Sequence, residues 1–145
     1  MGQEAPDFTL PTLDGAPTKL SSLKGKWVLI SFWATWCEPC LHEAEILNRL
    51  AKEYPQLRVL ALAVKESRDK LDAFSERFHP AYIILDAGPL TGEPAIAYGV
   101  GNPSGGGSVP VNVLVRPDGK IAYVQGGYEA PSPLEQAVAD IIAAK

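Results

Sequence analysis

The chain has 145 residues, of which 46% are hydrophobic and 21% are charged, and its formal net charge at pH 7 is -4. This length is enough for one well-buried core and too short for two ordinary domains, so we predict a single domain over residues 1–145. The acidic balance and the absence of a basic run exclude nucleic acid and anionic membrane surfaces as expected partners.

The beginning of the sequence carries no targeting pattern. No run of 18 apolar residues occurs anywhere, and Met1-Gly2 leads directly into the polar Gln3-Glu4. We therefore expect neither a membrane-spanning helix nor a signal peptide in the sequence given. Two interpretations remain open: a cytoplasmic protein, or a protein whose leader or membrane anchor lies outside this sequence.

Residues 1–26 are predicted to form an N-terminal extension that contains a β-hairpin. The short segments Phe8–Leu10 and Thr18–Leu20 flank Asp14-Gly15, which is a turn signal. The next segment, Trp27–Phe32, is almost continuously apolar and rich in residues that favour strands. That pattern predicts a strand that is covered on both faces, as in a parallel region of a sheet.

The chain has only two cysteines, Cys37 and Cys40, and they join this strand to a helical pattern that runs to Tyr54. Two thiols three positions apart at a helix N-terminus lie one turn apart on the same face, close enough to exchange a disulfide. Cys37 faces unpaired N–H groups and the positive end of the helix dipole, which favour the thiolate. We therefore predict that Cys37 is the nucleophile and that Cys40 resolves mixed disulfides.

The residues around the cysteine pair are predicted to tune its reduction potential and to contact the partner protein. Glu38 brings a negative charge that opposes thiolate formation at Cys37, and Pro39 suits a first helical turn because no N–H is needed there. Trp36 is predicted to form exposed contact surface, whereas Trp33 is predicted to pack in the core.

Three other uses of the cysteine pair compete with redox chemistry. A structural disulfide that closes so short a loop removes little chain entropy. A zinc site needs about four ligands, and only His42 and His79 could join the cysteines. Attachment of c-type haem requires histidine directly after the second cysteine, where Leu41 stands. We favour redox use without metal or cofactor, and keep as the alternative a module that holds haem or a metal ion through Cys37, Cys40 and a histidine.

The middle of the chain alternates strands and helices. Arg58–Val64 is predicted to be a buried strand, Arg68–Phe78 a helix, and Tyr82–Leu85 a further strand, with right-handed crossovers between parallel strands. Pro94–Tyr98 is predicted to be a short helix. The glycine-rich insert 101–108 is predicted to be a flexible loop, and two interpretations stay open: it gates the partner-binding surface, or it has no role.

The last third of the chain is predicted to close the fold with a hairpin and a helix. Val111–Val115 and Ile121–Val124 alternate around residues 116–120, which begin a turn with proline. Residues 132–135 read Ser-Pro-Leu-Glu, a capping box with proline at the first helical position. They predict a terminal helix that ends near Ala144.

Taken together, these motifs resemble the thioredoxin superfamily, and within it the redoxin branch of TlpA-like or ResA-like thiol-disulfide oxidoreductases. The resemblance rests on residues 5–10, 20–26 and 32–40 and on Val109-Pro110, and it extends over nearly the whole chain. It implies an α/β, thioredoxin-like fold with a central mixed β-sheet flanked by helices and the N-terminal hairpin as an extension. Residues 5–10, taken alone, also resemble peroxiredoxins.

The resemblance adds two predictions about the site. Val109-Pro110 stands where the family carries a cis-proline facing the disulfide, and a cis bond would leave the Val109 N–H and C=O free to pair with an extended substrate. Glu66 stands where the ResA-like branch carries an acid that assists proton transfer at the buried cysteine, here Cys40. The alternative for Glu66 is that it caps the helix that begins at Arg68.

The sequence thus predicts a protein-disulfide reductase that exchanges the Cys37–Cys40 dithiol for disulfides in partner proteins. By resemblance we place it in the cell envelope or periplasm, in a role like cytochrome c maturation, with an upstream thiol reductant that is membrane-bound in this interpretation. We expect a monomer, and the sequence leaves the direction of electron flow open. The alternative enzyme is a peroxiredoxin-like peroxidase, against which Ala34 counts because such enzymes carry threonine three residues before the reactive cysteine.

Overall fold

A computed structural model describes residues 2–104, 107–127 and 132–144. These residues form seven strands and four α-helices, with a 3-10 turn at Leu20–Leu23. In chain order they are β1 (Thr9–Pro11), β2 (Pro17–Lys19), β3 (Trp27–Trp33), α1 (Glu38–Glu53), β4 (Leu57–Val64), α2 (Arg68–Phe78), β5 (Ile83–Gly88), α3 (Glu93–Ala97), β6 (Val111–Val115), β7 (Ile121–Gly126) and α4 (Leu134–Ala144).

The main sheet has the strand order β5-β4-β3-β6-β7. Strands β3, β4 and β5 are parallel, whereas β6 is antiparallel to β3 and β7 is antiparallel to β6. Strand β3 lies in the centre and all seven of its residues are buried, which confirms the prediction of a strand covered on both faces. Strands β1 and β2 form a separate antiparallel hairpin, as predicted.

Each face of the sheet buries its own hydrophobic cluster, because successive side chains of a strand point to opposite faces. On one face Leu29 of β3 joins Leu47 of α1, Leu71 of α2 and Leu134 of α4. On the other face the clustered residues come from the N-terminal extension, the sheet and the α3 region, among them Phe8, Leu20, Phe32, Leu62 and Ala95. The helices α1, α2 and α4 therefore share one face. This arrangement confirms the predicted central mixed sheet with flanking helices.

Most predicted elements agree with the structure to within a few residues. Helix α1 begins at Glu38 rather than Cys40, because Cys37 is its N-cap. The capping box before α4 is half formed: Ser132 Oγ accepts a hydrogen bond from the Leu134 N–H, but the Glu135 carboxylate pairs with Arg49 of α1 at 3.1 Å. No helix in the described ranges is long and apolar enough to cross a membrane.

The glycine-rich insert 101–108 is anchored at both ends. Gly101 and Gly107 form an isolated antiparallel bridge, and Gly105 and Gly106 lie outside the described residues. A Cβ atom on Gly101 would overlap the main-chain carbonyl oxygen of Leu90, and one on Gly107 would overlap that of Val100. At these two positions glycine is needed because the backbones approach each other closely.

Candidate functional site

The cysteine pair lies where the central strand passes into the first long helix. Strand β3 ends at Trp33, and Cys37 is the N-cap of α1, with Pro39 among the first helical residues. Cys37 and Cys40 form a disulfide with a Cα–Cα distance of 5.3 Å. Cys37 is 7% exposed and Cys40 is 3% exposed, so both residues are buried and the one assigned to attack is slightly less so.

The surroundings of Cys37 act in opposite directions on a thiolate. The Cys40 N–H donates to Cys37 Sγ at 3.2 Å, and the positive end of the α1 dipole lies at the same place; both favour negative charge on sulfur. The Val109 carbonyl oxygen lies 3.7 Å from the same sulfur, and the carboxylate of Glu38 belongs to the first turn of α1. These two groups disfavour the thiolate.

The segment opposite Cys37 has the backbone that was predicted for it. The Val109–Pro110 peptide bond is cis, and Pro110 is buried directly before β6. Because Val111 pairs with Phe32 in the sheet, this segment lies beside the loop that carries the cysteines. The Val109 N–H has no hydrogen-bond partner among the described residues, so it is available to a partner backbone.

Two contacts join the loop before α2 to the loop before the cysteines. Trp36 is 49% exposed, as predicted, and its indole Nε1–H donates to the Lys65 carbonyl oxygen at 3.0 Å. Glu66 Oε2 accepts a hydrogen bond from the Thr35 N–H. The exposed indole and the main chain before Cys37 are therefore both held by residues 65–66.

The structure excludes one of the two interpretations of Glu66. The N-cap of α2 is Ser67, whose Oγ accepts a hydrogen bond from the Lys70 N–H at 3.3 Å, so the prediction that Glu66 caps this helix is wrong. Neither Glu66 oxygen is hydrogen-bonded to Cys40. Within the described part of the chain, Glu66 Oε1 is buried without a partner.

Sequence reasoning did not single out a second carboxyl, that of Glu43. It lies one turn beyond Cys40 on the same face of α1 and is 1% exposed. Its Oε1 accepts a hydrogen bond from Asn112 Nδ2 at 2.9 Å, and Ser132 Oγ lies 3.5 Å from its Oε2. Burial raises the pKa of the Glu43 carboxyl, and the bonds from Asn112 and Ser132 oppose this effect.

We expect Glu43→Gln to change how the free energy of unfolding depends on pH. The folded chain holds the Glu43 proton above the ordinary glutamate pKa of about 4.3. From that value up through the raised pKa, the folded state binds more protons than the unfolded state, so stability falls as pH rises. The variant should lose this decline, as measured by urea titrations from pH 4 to pH 8 at about half-unit steps.

The control for that measurement is Glu53→Gln, because Glu53 is exposed at the end of the same helix. The free energy of unfolding of the control should decline with rising pH as that of the wild type does. Parallel stability curves for wild type and Glu43→Gln would contradict the assignment of a raised pKa to the Glu43 carboxyl.

The structure gives no described cluster on which the alternative of a metal-binding module could rest. Among residues 2–104, 107–127 and 132–144, no three His, Cys, Asp or Glu side chains come together in a way that could hold a metal ion. Ala34, the residue that counts against a peroxiredoxin-like peroxidase, lies three residues before Cys37 and is fully buried.

Comparison with known proteins places this geometry among redox proteins. A model of the AhpC/TSA family matches residues 1–124. Thiol-disulfide oxidoreductase ResA of Geobacillus thermodenitrificans (strain NG80-2) is 32% identical over 139 residues, which are 94% of this chain and 75% of ResA. Thioredoxin-like protein YneN of Bacillus subtilis (strain 168) is 42% identical over 88 residues, which are 58% of this chain and 52% of YneN.

Solved structures share the fold over nearly the whole chain. A putative thiol:disulfide interchange protein DsbE from Chlorobium tepidum superposes with a TM-score of 0.82 at 26% identity, covering 99% of this chain and 95% of that one. The pneumococcal exposed lipoprotein thioredoxin Etrx1 of Streptococcus pneumoniae strain TIGR4 gives a TM-score of 0.71 at 26% identity, covering 90% of this chain and 97% of that one.

Proposed function

The chain belongs to the AhpC/TSA family and is a thiol-disulfide oxidoreductase with Cys37 and Cys40 as its redox pair, and on this basis we propose that it reduces disulfides of partner proteins outside the cytoplasm. The observation that supports this direction is the combination of Glu38 and the Val109 carbonyl oxygen beside Cys37. Both are negative or partly negative groups, so they raise the free energy of the reduced, thiolate form.

A reduced form that is less stable makes the dithiol a better electron donor. The converse is known for strong protein oxidants, whose reduced form is stabilised. The Cys40 N–H and the helix dipole still keep part of Cys37 ionised, which the attack requires. Cys37 is therefore reactive, while the equilibrium favours its return to the disulfide.

The reaction runs in two exchanges. The Cys37 thiolate attacks one sulfur of the partner disulfide, a Cys37–partner bond forms, and the other partner sulfur leaves as a thiolate that takes up a proton. Cys40 then loses its proton and attacks Cys37 Sγ, which releases the second partner sulfur. Two electrons pass to the partner, and the Cys37–Cys40 disulfide is reduced again by an upstream thiol donor.

Two carboxyls are candidates for accepting the proton of Cys40. Glu66 contacts the loop before Cys37 and keeps one buried oxygen without a described partner, and Glu43 lies one helical turn from Cys40. We assign proton transfer to Glu66, directly or through water, and regard Glu43 as a second carboxyl of the same site.

Partner binding is assigned to the surface around Cys37. The unpaired Val109 N–H before Pro110 can bond an extended partner segment in the way a strand adds to a sheet edge. Trp36, Glu38 and Pro39 form the exposed side of the same surface.

An extracytoplasmic location is supported by the resemblance to the redoxin branch and by Etrx1, which is described as an exposed lipoprotein. In that setting we propose a role like cytochrome c maturation, in which the partner carries a disulfide between the two cysteines of a C-x-x-C-H sequence. The donor that reduces Cys37–Cys40 would then be a thiol protein of the membrane.

The proposal is tested with a C-x-x-C-H peptide, by approaching equilibrium from both sides. Reduced protein is mixed with the oxidised peptide, and oxidised protein with the reduced peptide, and the thiols of each are counted by mass after alkylation. We expect the reduced peptide to predominate from both starting points. Predominance of the oxidised peptide would show that the chain is an oxidant and would refute the proposed direction.

A further inference from the structure

A groove of about 470 Å³ runs between α1 and α2 on the surface beside the cysteines. Its lining includes Leu41 of α1, which follows Cys40 directly, and Thr35, which lies two residues before Cys37. Its volume falls in the range of sites that accept a ligand or several side chains, about 300–1,000 Å³. The redox chemistry described above does not use this groove.

The floor of the groove is apolar and partly open to solvent. Leu41 is 39% exposed, and Phe74 and Phe78 of α2 are half-buried, stacked on each other with ring centroids 5.2 Å apart. Phe74 also packs against Trp33 of the core, and this contact holds its ring in place. A rigid aromatic floor with an exposed leucine is typical of surfaces that bind apolar side chains.

Two of the three cations of helix α2 lie on one face, whereas the third, Arg68, pairs with Asp72. Lys70, Phe74 and Arg77 follow the spacing of one helix face, and all three line the groove. The acidic residues Asp69, Asp72 and Glu76 have a spacing that places them on another side of the helix. Two cations of α2 therefore face this groove in a chain whose net charge is -4.

The two groove cations have no acidic partner among the residues that the structure describes. Among the described residues, neither Lys70 nor Arg77 forms an ion pair, whereas Arg49 and Arg68 do. One acidic side chain, Glu45, lines the groove from α1, so the lining carries a surplus of one positive charge. The charge of the groove is therefore complementary to an acidic occupant.

The position of the groove relates it to the attacking sulfur. In the sheet, β4 lies on one side of β3 and β6 on the other. The Val109 segment leads into β6, whereas α2 follows β4, so the groove and Val109 flank the cysteine loop on opposite sides. A partner segment that pairs with Val109 and presents a sulfur to Cys37 would continue into the groove.

We propose that this groove binds an extended segment of the partner protein in which apolar residues alternate with acidic ones next to the reacting cysteine. This inference rests on the proposed function and names its substrate class. Apolar side chains of the segment pack on Leu41, Phe74 and Phe78, and its carboxylates meet Lys70 and Arg77. Trp36, whose indole is held by the Lys65 carbonyl oxygen, borders the path of the segment.

The test uses peptides that carry one cysteine as a mixed disulfide with thiopyridine, whose release is followed by absorbance. One peptide has aspartate and leucine beside the cysteine, and the second has lysine in place of aspartate. We expect the reduced wild type to react roughly tenfold faster with the acidic peptide, and this preference to shrink in high salt. In Lys70→Glu/Arg77→Glu the preference should vanish or invert.

The matched control is Lys26→Glu/Lys52→Glu, which changes the net charge equally at two exposed positions outside the groove. The control should keep the wild-type preference. Leu41→Ser tests the apolar floor. This variant should react several-fold more slowly with the leucine peptide and at the wild-type rate with a peptide that has serine in place of leucine. Folding of every variant is checked by circular dichroism.

Neutral dipyridyl disulfide separates failure of this inference from failure of the proposed function. All groove variants should react with it at the wild-type rate. Two results would overturn the inference if exchange with the small disulfide continued. One is that the control pair loses the preference for the acidic peptide as fully as the groove pair does, and the other is that the wild type shows no such preference. Dimerisation of the wild type that Leu41→Ser abolishes would assign the groove to a second copy and would also overturn it. Absence of reaction with any disulfide would instead refute the proposed function.

Discussion

Replacing Cys37 by serine is expected to slow disulfide exchange by more than about a thousandfold, since a hydroxyl is a far weaker nucleophile than a thiolate at neutral pH. Cys37 is the N-cap of α1, and its Sγ accepts a hydrogen bond from the Cys40 N–H. Because serine is also a good N-cap, the helix should still begin at the same residue. The loss is measured as the second-order rate constant with a peptide disulfide. Retention of more than about a tenth of the wild-type rate would contradict the assignment of Cys37 as nucleophile.

The matched variant is Cys40→Ser, for which the expected result is different in kind. Cys37 can still attack, but no second thiol resolves the product, so a stable mixed disulfide with the partner should accumulate. It is measured as a covalent adduct that disappears on reduction. If Cys37→Ser forms the adduct and Cys40→Ser does not, the two roles are reversed.

The second large effect is expected at Glu66. If its carboxylate accepts the Cys40 proton, Glu66→Gln should slow resolution of a preformed Cys37 mixed disulfide by about a hundredfold, which is typical of a lost general base. The glutamine Oε1 can still accept the hydrogen bond from the Thr35 N–H, so the loop before Cys37 should keep its position. The rate of release of the partner thiol is measured in single turnovers from pH 5 to pH 9.

Glu66→Ala and Glu76→Gln complete the comparison. Glu66→Ala removes both the base and the bond to Thr35, whereas Glu76 is an exposed residue of α2 and its variant should resemble the wild type. If Glu66→Gln resolves at the wild-type rate at every pH and only Glu66→Ala is slow, Glu66 positions the loop and moves no proton.

The elements that could be predicted from the sequence are those with a local cause. Arg68–Phe78 has the predicted bounds because apolar residues recur along it at helical spacing. The central strand was recognisable because Trp27–Phe32 is almost continuously apolar, and the structure buries all of it. The disulfide of Cys37 and Cys40 also follows from their spacing. The cis bond before Pro110 came from family resemblance, since spacing alone does not distinguish it from an ordinary trans proline.

The remaining features depend on contacts between distant parts of the chain. Glu66 meets Thr35 across 31 positions, and the groove exists only because α1 and α2 pack on the same face of the sheet. Glu43 is a partial exception. It falls on the apolar face of α1 with Cys40 and Leu47, and this spacing is a signal of burial that the sequence analysis did not use. Its partners Asn112 and Ser132 come from the last third of the chain and could not be read from the pattern.

The reduction potential of the Cys37–Cys40 pair is the quantity on which the proposed direction of electron flow depends. It is obtained by equilibrating the protein in defined thiol-disulfide buffers and counting free thiols. Because Glu38 and the Val109 carbonyl oxygen disfavour the thiolate, we predict a value near that of thioredoxin, about -270 mV. A value near about -120 mV, typical of a protein that inserts disulfides, would contradict the account, as would a pair that forms no reversible disulfide at any poise.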